Sequence, residues 1–333
     1  MKRVVFVTQA IDPDSPNLGA VVPMVRALAE RSDQVTVLAL RAVPGALPAN
    51  CRVRTFGGAT QLDRGARFTA ALARELWPRP QAVIAHMSPI YAVLAAPLCI
   101  PVRVPILLWF THWRNSATLR AAERVSAAVA TVDRSSFPFA SPKVRAIGHG
   151  IDLTQFPCRP QPANDALHVL ALGRTSPAKG LEAVVAGVRL AQERNVAVEL
   201  EIRGPSATDE ERAHRARLVE LGANVAEAVG RSQLPAVFAQ TDLVINAAAE
   251  GSLDKSVFEA CASCVPVLAS NPGFASLLPP ELLFERGNAE QIAERLAGFA
   301  ARSDREALGH ELRARVAQEH SVEHWADAML ELA

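Results

Sequence analysis

The fold of this chain is decided by residues 241–270, which read TDLVINAAAEGSLDKSVFEACASCVPVLAS. The stretch begins with a short apolar run, Leu243–Ile245, and closes with a β-branched apolar run, Val265–Ala269. Between the two runs lie a polar turn around Gly251 and a helix-forming segment, Val257–Ala262. Apolar runs of this length on either side of a helical segment predict a strand, a loop, a helix and a second strand.

The turn and its flanks carry groups that suit a phosphorylated sugar. A glycine-containing turn that opens a helix exposes backbone N–H groups, which bind phosphate oxygens. Two carboxylates flank it, Glu250 before the turn and Glu259 inside the helix, and carboxylates accept hydrogen bonds from sugar hydroxyls. Glu259 lies among apolar neighbours, so its charge needs a ligand or a partner. The alternative is an ordinary ion pair, but the combination indicates a nucleotide-sugar site.

Strands and helices alternate along the whole chain. Short apolar runs such as Val4–Val7 and His168–Leu172 are separated by Ala/Leu/Arg-rich segments, which predicts parallel sheets covered on both faces. Segment 156–165 contains three prolines and no apolar periodicity, so we predict a linker there. Since 333 residues suit two domains, we predict an α/β protein of two doubly wound, Rossmann-like domains, with ligands expected in a cleft between them. The predicted boundaries are 1–150 for the N-terminal domain, 151–165 for the linker, 166–312 for the C-terminal domain and 313–333 for a closing helix.

The composition excludes several classes of protein. Half of the residues are apolar and 21% are charged, which is typical of a globular protein. The net charge of +1 gives no electrostatic support for nucleic-acid binding. The longest apolar stretch, 89–110, is interrupted by Pro97, Pro101, Arg103 and Pro105, so a membrane-spanning helix is not expected.

Cysteine and arginine positions bear on the location of the protein. Five scattered cysteines, an odd number, argue against a disulfide framework and favour the cytoplasm. Cys261 and Cys264 have no two further ligands at zinc spacing, so we expect buried thiols that act as small apolar side chains.

Arg114, Arg120 and Arg124 either contact anionic lipid, which would place the protein peripherally at the inner membrane face, or form a solvated helix face.

A second candidate loop, 172–181, follows a predicted strand and enters a helix. It carries Arg174 and Lys179 five residues apart in a sequence rich in glycine, serine and proline. Such a loop can aim a guanidinium fork and an ammonium at one diphosphate; the alternative is a pair of solvated charges.

Asp12 and Asp14 match an Asp-x-Asp metal pattern, but two acids around a proline are typical of a turn, and we predict no metal.

The order of these motifs resembles that of the retaining glycosyltransferases of family 4 (glycosyl transferases group 1), which have the two-domain GT-B fold. The first half of the chain is similar to the family only in outline, as a variable acceptor domain would be. The resemblance implies that the closing helix crosses back to the N-terminal domain. The matching segments are AIGHGIDLTQF (146–156), LGRTSPAKG (172–180), LEIRGP (200–205), VGRSQLP (229–235) and 250–270.

The resemblance implies a role for each matched residue. Arg174 and Lys179 would hold the donor diphosphate, and Glu259 would bind the ribose. Glu250 would contact the donor sugar, and His112 would face the sugar that is transferred. The further donor-binding positions that the resemblance implies are Gly19, Gly173, Gly204, Arg231, Gly251, Ser252 and Leu253.

Of the features that depart from the family pattern, three lie in residues 250–270. Eight residues separate Glu250 from Glu259 where the family has seven, so that Gly251 stands at the strict spacing. The dipeptide Asp254-Lys255 replaces part of a Gly-Leu-Pro loop, and Cys264 replaces a glycine that ends the helix.

Together these implications predict a metal-independent, retaining glycosyltransferase without a cofactor. It would move a sugar from a nucleoside diphosphate sugar to a glycan, a lipid-linked acceptor or a small molecule. Two alternatives stay open, a sugar-nucleotide epimerase or hydrolase of the same fold and a non-catalytic nucleotide-sugar-binding scaffold. A Rossmann dehydrogenase is not expected, because no Gly-x-Gly-x-x-Gly follows a predicted strand.

Overall fold

The computed structural model describes residues 2–15, 18–160, 165–251 and 253–333. The chain forms two compact units. The first comprises the residues up to Asp152 together with Glu319–Ala333, and the second comprises Leu153–Gln318. Each unit is built on one parallel sheet, so the predicted pair of Rossmann-like α/β domains is confirmed.

The strands of the first unit are β1 (Arg3–Ile11), β2 (Gln34–Ala42), β3 (Cys51–Thr55), β4 (Ala82–His86), β5 (Ile106–Trp109), β6 (Ala128–Thr131) and β7 (Val144–Ala146). The central strands are buried apolar runs, which is why the sequence reads as near-continuous hydrophobic segments there, whereas the edge strands β3 and β7 are largely exposed. All pair in parallel, in the order β3-β2-β1-β4-β5-β6-β7.

The second unit has a smaller parallel sheet. Its strands are β8 (Leu167–Leu172), β9 (Val198–Arg203), β10 (Asn224–Ala226), β11 (Leu243–Asn246) and β12 (Val267–Ala269). They are ordered β10-β9-β8-β11-β12.

Helices connect most of the consecutive strands, as is usual between parallel neighbours, although β2 runs to β3 through a loop. In chain order they are α1 (Val21–Glu30), α2 (Gln61–Glu75), α3 (Pro89–Cys99), α4 (Ala117–Val125), α5 (Leu181–Glu193), α6 (Asp209–Glu220), α7 (Leu234–Phe238), α8 (Lys255–Ala262), α9 (Ala289–Ala300), α10 (Arg305–Glu319) and α11 (Val322–Glu331). Within the described part of the chain, none of these helices combines the length and the apolar character needed to cross a bilayer.

The C-terminal segment completes the first unit. The Ile151 amide donates to the His320 carbonyl over 2.8 Å, and the Val322 amide donates back to Ile151 over 2.9 Å. On α11 the ring of Trp325 is fully buried and meets Trp109 of β5 edge-on, with ring centroids 5.7 Å apart. This segment therefore contributes core side chains to the first unit as well as covering it.

The cysteines depart from expectation. Cys264 was expected to be a buried thiol, and the odd number of scattered cysteines argued against a disulfide framework. In the structure Cys264 forms a disulfide with Cys158, 106 residues earlier in the chain. Their Cα atoms lie 5.1 Å apart, within the range that a disulfide spans. The sequence expectation was wrong here because spacing along the chain carries no information on which loops meet in space; Cys261 does remain a buried thiol.

Trp325 and Trp77 provide a matched test of the role of the C-terminal segment. Trp325→Ala should lower the free energy of unfolding by about 3–5 kcal/mol, because it empties a fully buried site. Trp77→Ala removes an 85% exposed ring and should change it by about 0.5 kcal/mol or less. Urea unfolding of both variants measures the difference, and equal effects would contradict a core role for α11.

Candidate active site

In the sheet of the second unit, the direction in which successive strands are added reverses at β8. The chain leaves β8 for β9 and β10 and then returns to β11 on the opposite side of β8. The loops that follow β8 and β11 therefore part from each other at the carboxyl ends of the strands. Ligands of doubly wound sheets bind in the crevice at such a switch point.

Glycines shape the loop after β8. Gly204, which follows β9, packs so closely that a Cβ placed on it would lie 1.9 Å from the Gly173 carbonyl oxygen. Lys179 lies over Gly173, with its Cε 3.5 Å from the position of a Cβ there. Gly180 has φ of 63°, a left-handed conformation that glycine adopts without strain, and α5 begins at the next residue. The structure thus brings Gly173, Gly204 and Lys179 together.

Lys179 bridges to the loop after β11. Its Nζ lies 2.5 Å from Oδ2 of Asp254, and the side chains are only 18% and 16% exposed. The same Oδ2 accepts a hydrogen bond of 2.8 Å from Nδ2 of Asn246, the last residue of β11. The Ala249 amide donates to the Ala178 carbonyl over 3.2 Å, which joins the backbones of the two loops. The two stretches singled out in the sequence therefore form one site.

Arg174, the second predicted diphosphate ligand, reaches away from Lys179. Its guanidinium Nη1 lies 3.2 Å from Oε1 of Glu211 on α6. Glu211 is itself held by the amides of Ala207 and Thr208 at the start of that helix. The Arg174 side chain is 62% exposed, whereas its partner Glu211 is only 4% exposed. If Arg174 turns toward a ligand, the buried Glu211 carboxylate still keeps the hydrogen bonds from the Ala207 and Thr208 amides.

Glu259 is buried in α8 and forms an ion pair. Its Oε1 lies 2.5 Å from Nη1 of Arg231, which in turn stacks over the ring of Phe156 at 5.4 Å. The pairing explains how an apolar helix accommodates a carboxylate, and the partner is another predicted donor-site residue. One helical turn earlier, burial lowers the pKa of Lys255 to about 8; nearby Glu259 opposes that shift and Arg231 adds to it.

The turn between Glu250 and Asp254 is only partly described. Glu250 is exposed, Gly251 has φ of 80°, and Leu253 is buried against the protein. Ser252, a predicted phosphate contact, lies outside the described residues.

Two predicted site residues belong to the first unit. Gly19 is buried in the turn between β1 and α1, where its amide donates to Ser15 over 2.9 Å. His112 follows β5; its Nδ1 accepts a 2.9 Å hydrogen bond from the Arg114 amide, and its ring stacks on Trp113. Partial burial, with a smaller contribution from Arg114, lowers the pKa of His112. The neutral ring therefore carries its proton on Nε2 and presents a donor there.

A polar pair that the sequence alone did not single out lies at the switch point of the first unit. β1 and β4 are the strands that part there. His86, which ends β4, lies with its Nδ1 3.3 Å from Oγ1 of Thr8 in β1, and both side chains are buried. The available signal was a histidine at the carboxyl end of a buried apolar strand.

The structure also places the residues considered for metal binding. Oδ1 of Asp12 accepts a hydrogen bond of 3.1 Å from the Asp14 amide, which is the geometry of a turn. Among the described residues, ligand atoms of Cys158, Cys264 and His310 lie within 4.8 Å of one another, but the two sulfurs are joined in the disulfide.

Comparison with known proteins supports the interpretation of the second unit. Residues 166–302 match the family of glycosyl transferases group 1, which confirms the predicted glycosyltransferase domain. No curated protein matches the chain in sequence.

Solved structures match along nearly the whole chain. A sucrose-phosphate synthase from Thermosynechococcus elongatus has a TM-score of 0.76 at 17% identity, covering 100% of this chain and 98% of its own. HepE from Anabaena, in complex with UDP and glucose, has a TM-score of 0.77 at 16% identity, covering 99% of each chain. WaaG, a glycosyltransferase involved in lipopolysaccharide biosynthesis, has 0.67 at 15% identity and covers 98% of each. At these identities the likeness establishes the GT-B fold.

The lowered pKa of Lys255 predicts a pH-dependent stability. The folded-state pKa of about 8 is below the unfolded value of about 10.4, so below pH 8 the folded protein bears the full cost of keeping Lys255 charged. That cost disappears as pH rises through the window between the two values. Lys255→Met should therefore raise the free energy of unfolding relative to wild type at pH 7, and by less at pH 9.5. Urea unfolding at both pH values measures the gap, and an equal gap would contradict the assignment.

Proposed function

We propose that this protein transfers a sugar from a nucleoside diphosphate sugar to an acceptor with retention of anomeric configuration. One observation carries the proposal. The Lys179 loop and the start of α8 meet at the β8/β11 switch point, inside the segment that matches the group 1 glycosyl transferases.

The chemistry assigned to this site is electrostatic. As the bond from the sugar to the diphosphate breaks, negative charge grows on the leaving phosphate oxygens. Lys179 lies at the crevice, and the exposed side chain of Arg174 can turn into it from its pair with the buried Glu211. Cations that are already in place stabilise such a charge without reorganising solvent. Backbone amides of the turn at Gly251 and Leu253 would add neutral donors.

The nucleoside part of the donor is assigned to Glu259 and its surroundings. Arg231 holds the Glu259 carboxylate in one position, where a free oxygen lone pair can accept hydrogen bonds from ribose hydroxyls. The close contact of Gly204 with Gly173 leaves backbone, with no side chain, at the end of β9. Because HepE is known with UDP and glucose, uridine diphosphate sugars are the first donors to test.

The first unit is assigned the acceptor and the transferred sugar. The Nε2–H of His112 can donate to a sugar hydroxyl. We propose a glycan, a lipid-linked glycan or a small molecule as acceptor, a cytoplasmic location with peripheral membrane contact, and no metal or cofactor. Of the arginines considered for that contact, Arg120 stacks over Phe139 at 4.7 Å.

A ligand screen tests the donor assignment. Uridine, guanosine, adenosine and thymidine diphosphate sugars are compared by thermal shift, with and without magnesium. One base should raise the melting temperature with concentration, independently of magnesium, because binding stabilises only the folded state. Glu259→Gln should abolish the shift while keeping an oxygen for Arg231. A shift that requires magnesium would contradict the metal-independent site, and an unaltered shift in Glu259→Gln would contradict the ribose assignment.

Lys179→Ala tests the phosphate assignment. Removal of this ammonium should lower donor turnover by at least about 100-fold, as loss of one preorganised donor does elsewhere. Release of nucleoside diphosphate, with an acceptor panel present, is the measurement. Lys143→Ala is the matched control, because Lys143 donates to carbonyls of the first unit such as Ser126. Unchanged turnover in Lys179→Ala would refute the assignment, and donor binding without turnover in wild type would favour a binding protein.

A further inference from the structure

The carboxylate of Asp254 stands where a donor phosphate would be expected to bind. It lies 2.5 Å from the Lys179 ammonium, a distance at which only one anion can occupy that side of the nitrogen. Both side chains are more than four-fifths buried, so water screens the pair less than it would on the surface. A diphosphate approaching Lys179 therefore meets a fixed negative charge in its path.

The other carboxylates of the site do not compete in this way. Glu211 holds Arg174, but that arginine is 62% exposed and can leave its partner. Glu259 holds Arg231 at the position assigned to the ribose, where a carboxylate is useful. Among the described residues that pair with the site's cations, Asp254 is the one whose charge opposes the ligand directly.

The backbone around Asp254 offers its side chain a second position. Asp254 is the N-cap residue of α8, with extended dihedral angles of φ −63° and ψ 129°. Aspartate at an N-cap ordinarily accepts hydrogen bonds from the first amides of its helix. In the described part of the chain its carboxylate makes no such bond and turns to Lys179 and Asn246 instead. A rotation about its side-chain bonds would bring it toward the first amides of α8, whose positive helix end favours an anion.

We propose that Asp254 is a carboxylate gate of the donor site. Before the donor binds, Asp254 neutralises and holds Lys179. On binding, the diphosphate takes the ammonium and the Asp254 carboxylate moves to cap α8. The hydrogen bonds gained at the helix offset part of the free energy lost with the Lys179–Asp254 ion pair. A ligand therefore binds well only if its anion interacts with Lys179 more favourably than the Asp254 carboxylate does. This inference rests on the proposed donor site.

The test uses two variants that keep the cap and remove the charge. Asparagine and serine are N-cap residues as good as or close to aspartate, so Asp254→Asn and Asp254→Ser should fold. Isothermal titration of the full-length protein with UDP, and with GDP, ADP and TDP in turn, gives the dissociation constants. Both variants should bind the diphosphate that wild type prefers about tenfold or more tightly, the scale of a typical coupling between two sites. Asp209→Asn is the control, because Asp209 is exposed in the first turn of α6 and the same charge is removed there; its affinity should equal that of wild type.

The outcomes separate the two proposals. Equal or weaker binding by both variants would overturn the gate and show that Asp254 positions Lys179 for the donor. Binding by the variants alone would support the gate in its strongest form. If neither wild type nor the variants bind any of the four diphosphates, the gate and the donor site are both overturned, since a released Lys179 then attracts no diphosphate.

Discussion

The reversal of the chain between β8 and β11 is the constraint on which the candidate site depends. Parallel strands end at the same edge of the sheet, and in the sheet of the second unit it is at this pair that the following loops run in opposite directions. The loop of Lys179 and the turn before α8 are thereby held next to one another, although 75 residues separate Lys179 from Asp254. The glycine contacts beneath them, from Gly204 to Gly173, keep the crevice lined by backbone.

Charge pairing is the second principle of the site. Each cation assigned to the donor has a carboxylate partner within 3.2 Å, and the three pairs differ in burial. Burial decides what each pair can do. Arg174 is 62% exposed and can leave Glu211, which stays hydrogen-bonded to two amides at the start of α6, whereas the Arg231–Glu259 pair, at 12% and 4% exposure, is a fixed part of the scaffold. The Lys179–Asp254 pair is intermediate, and that is what makes it suited to exchange.

Much of the fold follows from local properties of the chain. Runs such as Val83–His86 and Leu243–Ile245 are apolar enough to be buried on both faces, and helical segments lie between them, so parallel sheets and two domains could be predicted. The loop residues at Gly173 and Gly251 could be predicted for a similar reason, because a turn that requires positive φ favours glycine. The stretch 313–333, predicted as one closing helix, consists of the end of α10 and the separate helix α11.

The sequence by itself determined the strand–helix order, the position of the loops and the identity of the charged residues in them, because these depend on near neighbours along the chain. Only the tertiary structure decided which groups meet. Lys179 with Asp254, Arg231 with Glu259 and Cys158 with Cys264 are paired by strand register and loop geometry, over separations of 75, 28 and 106 residues. Pairing at such distances depends on how the whole sheet is ordered, and no local pattern encodes that order.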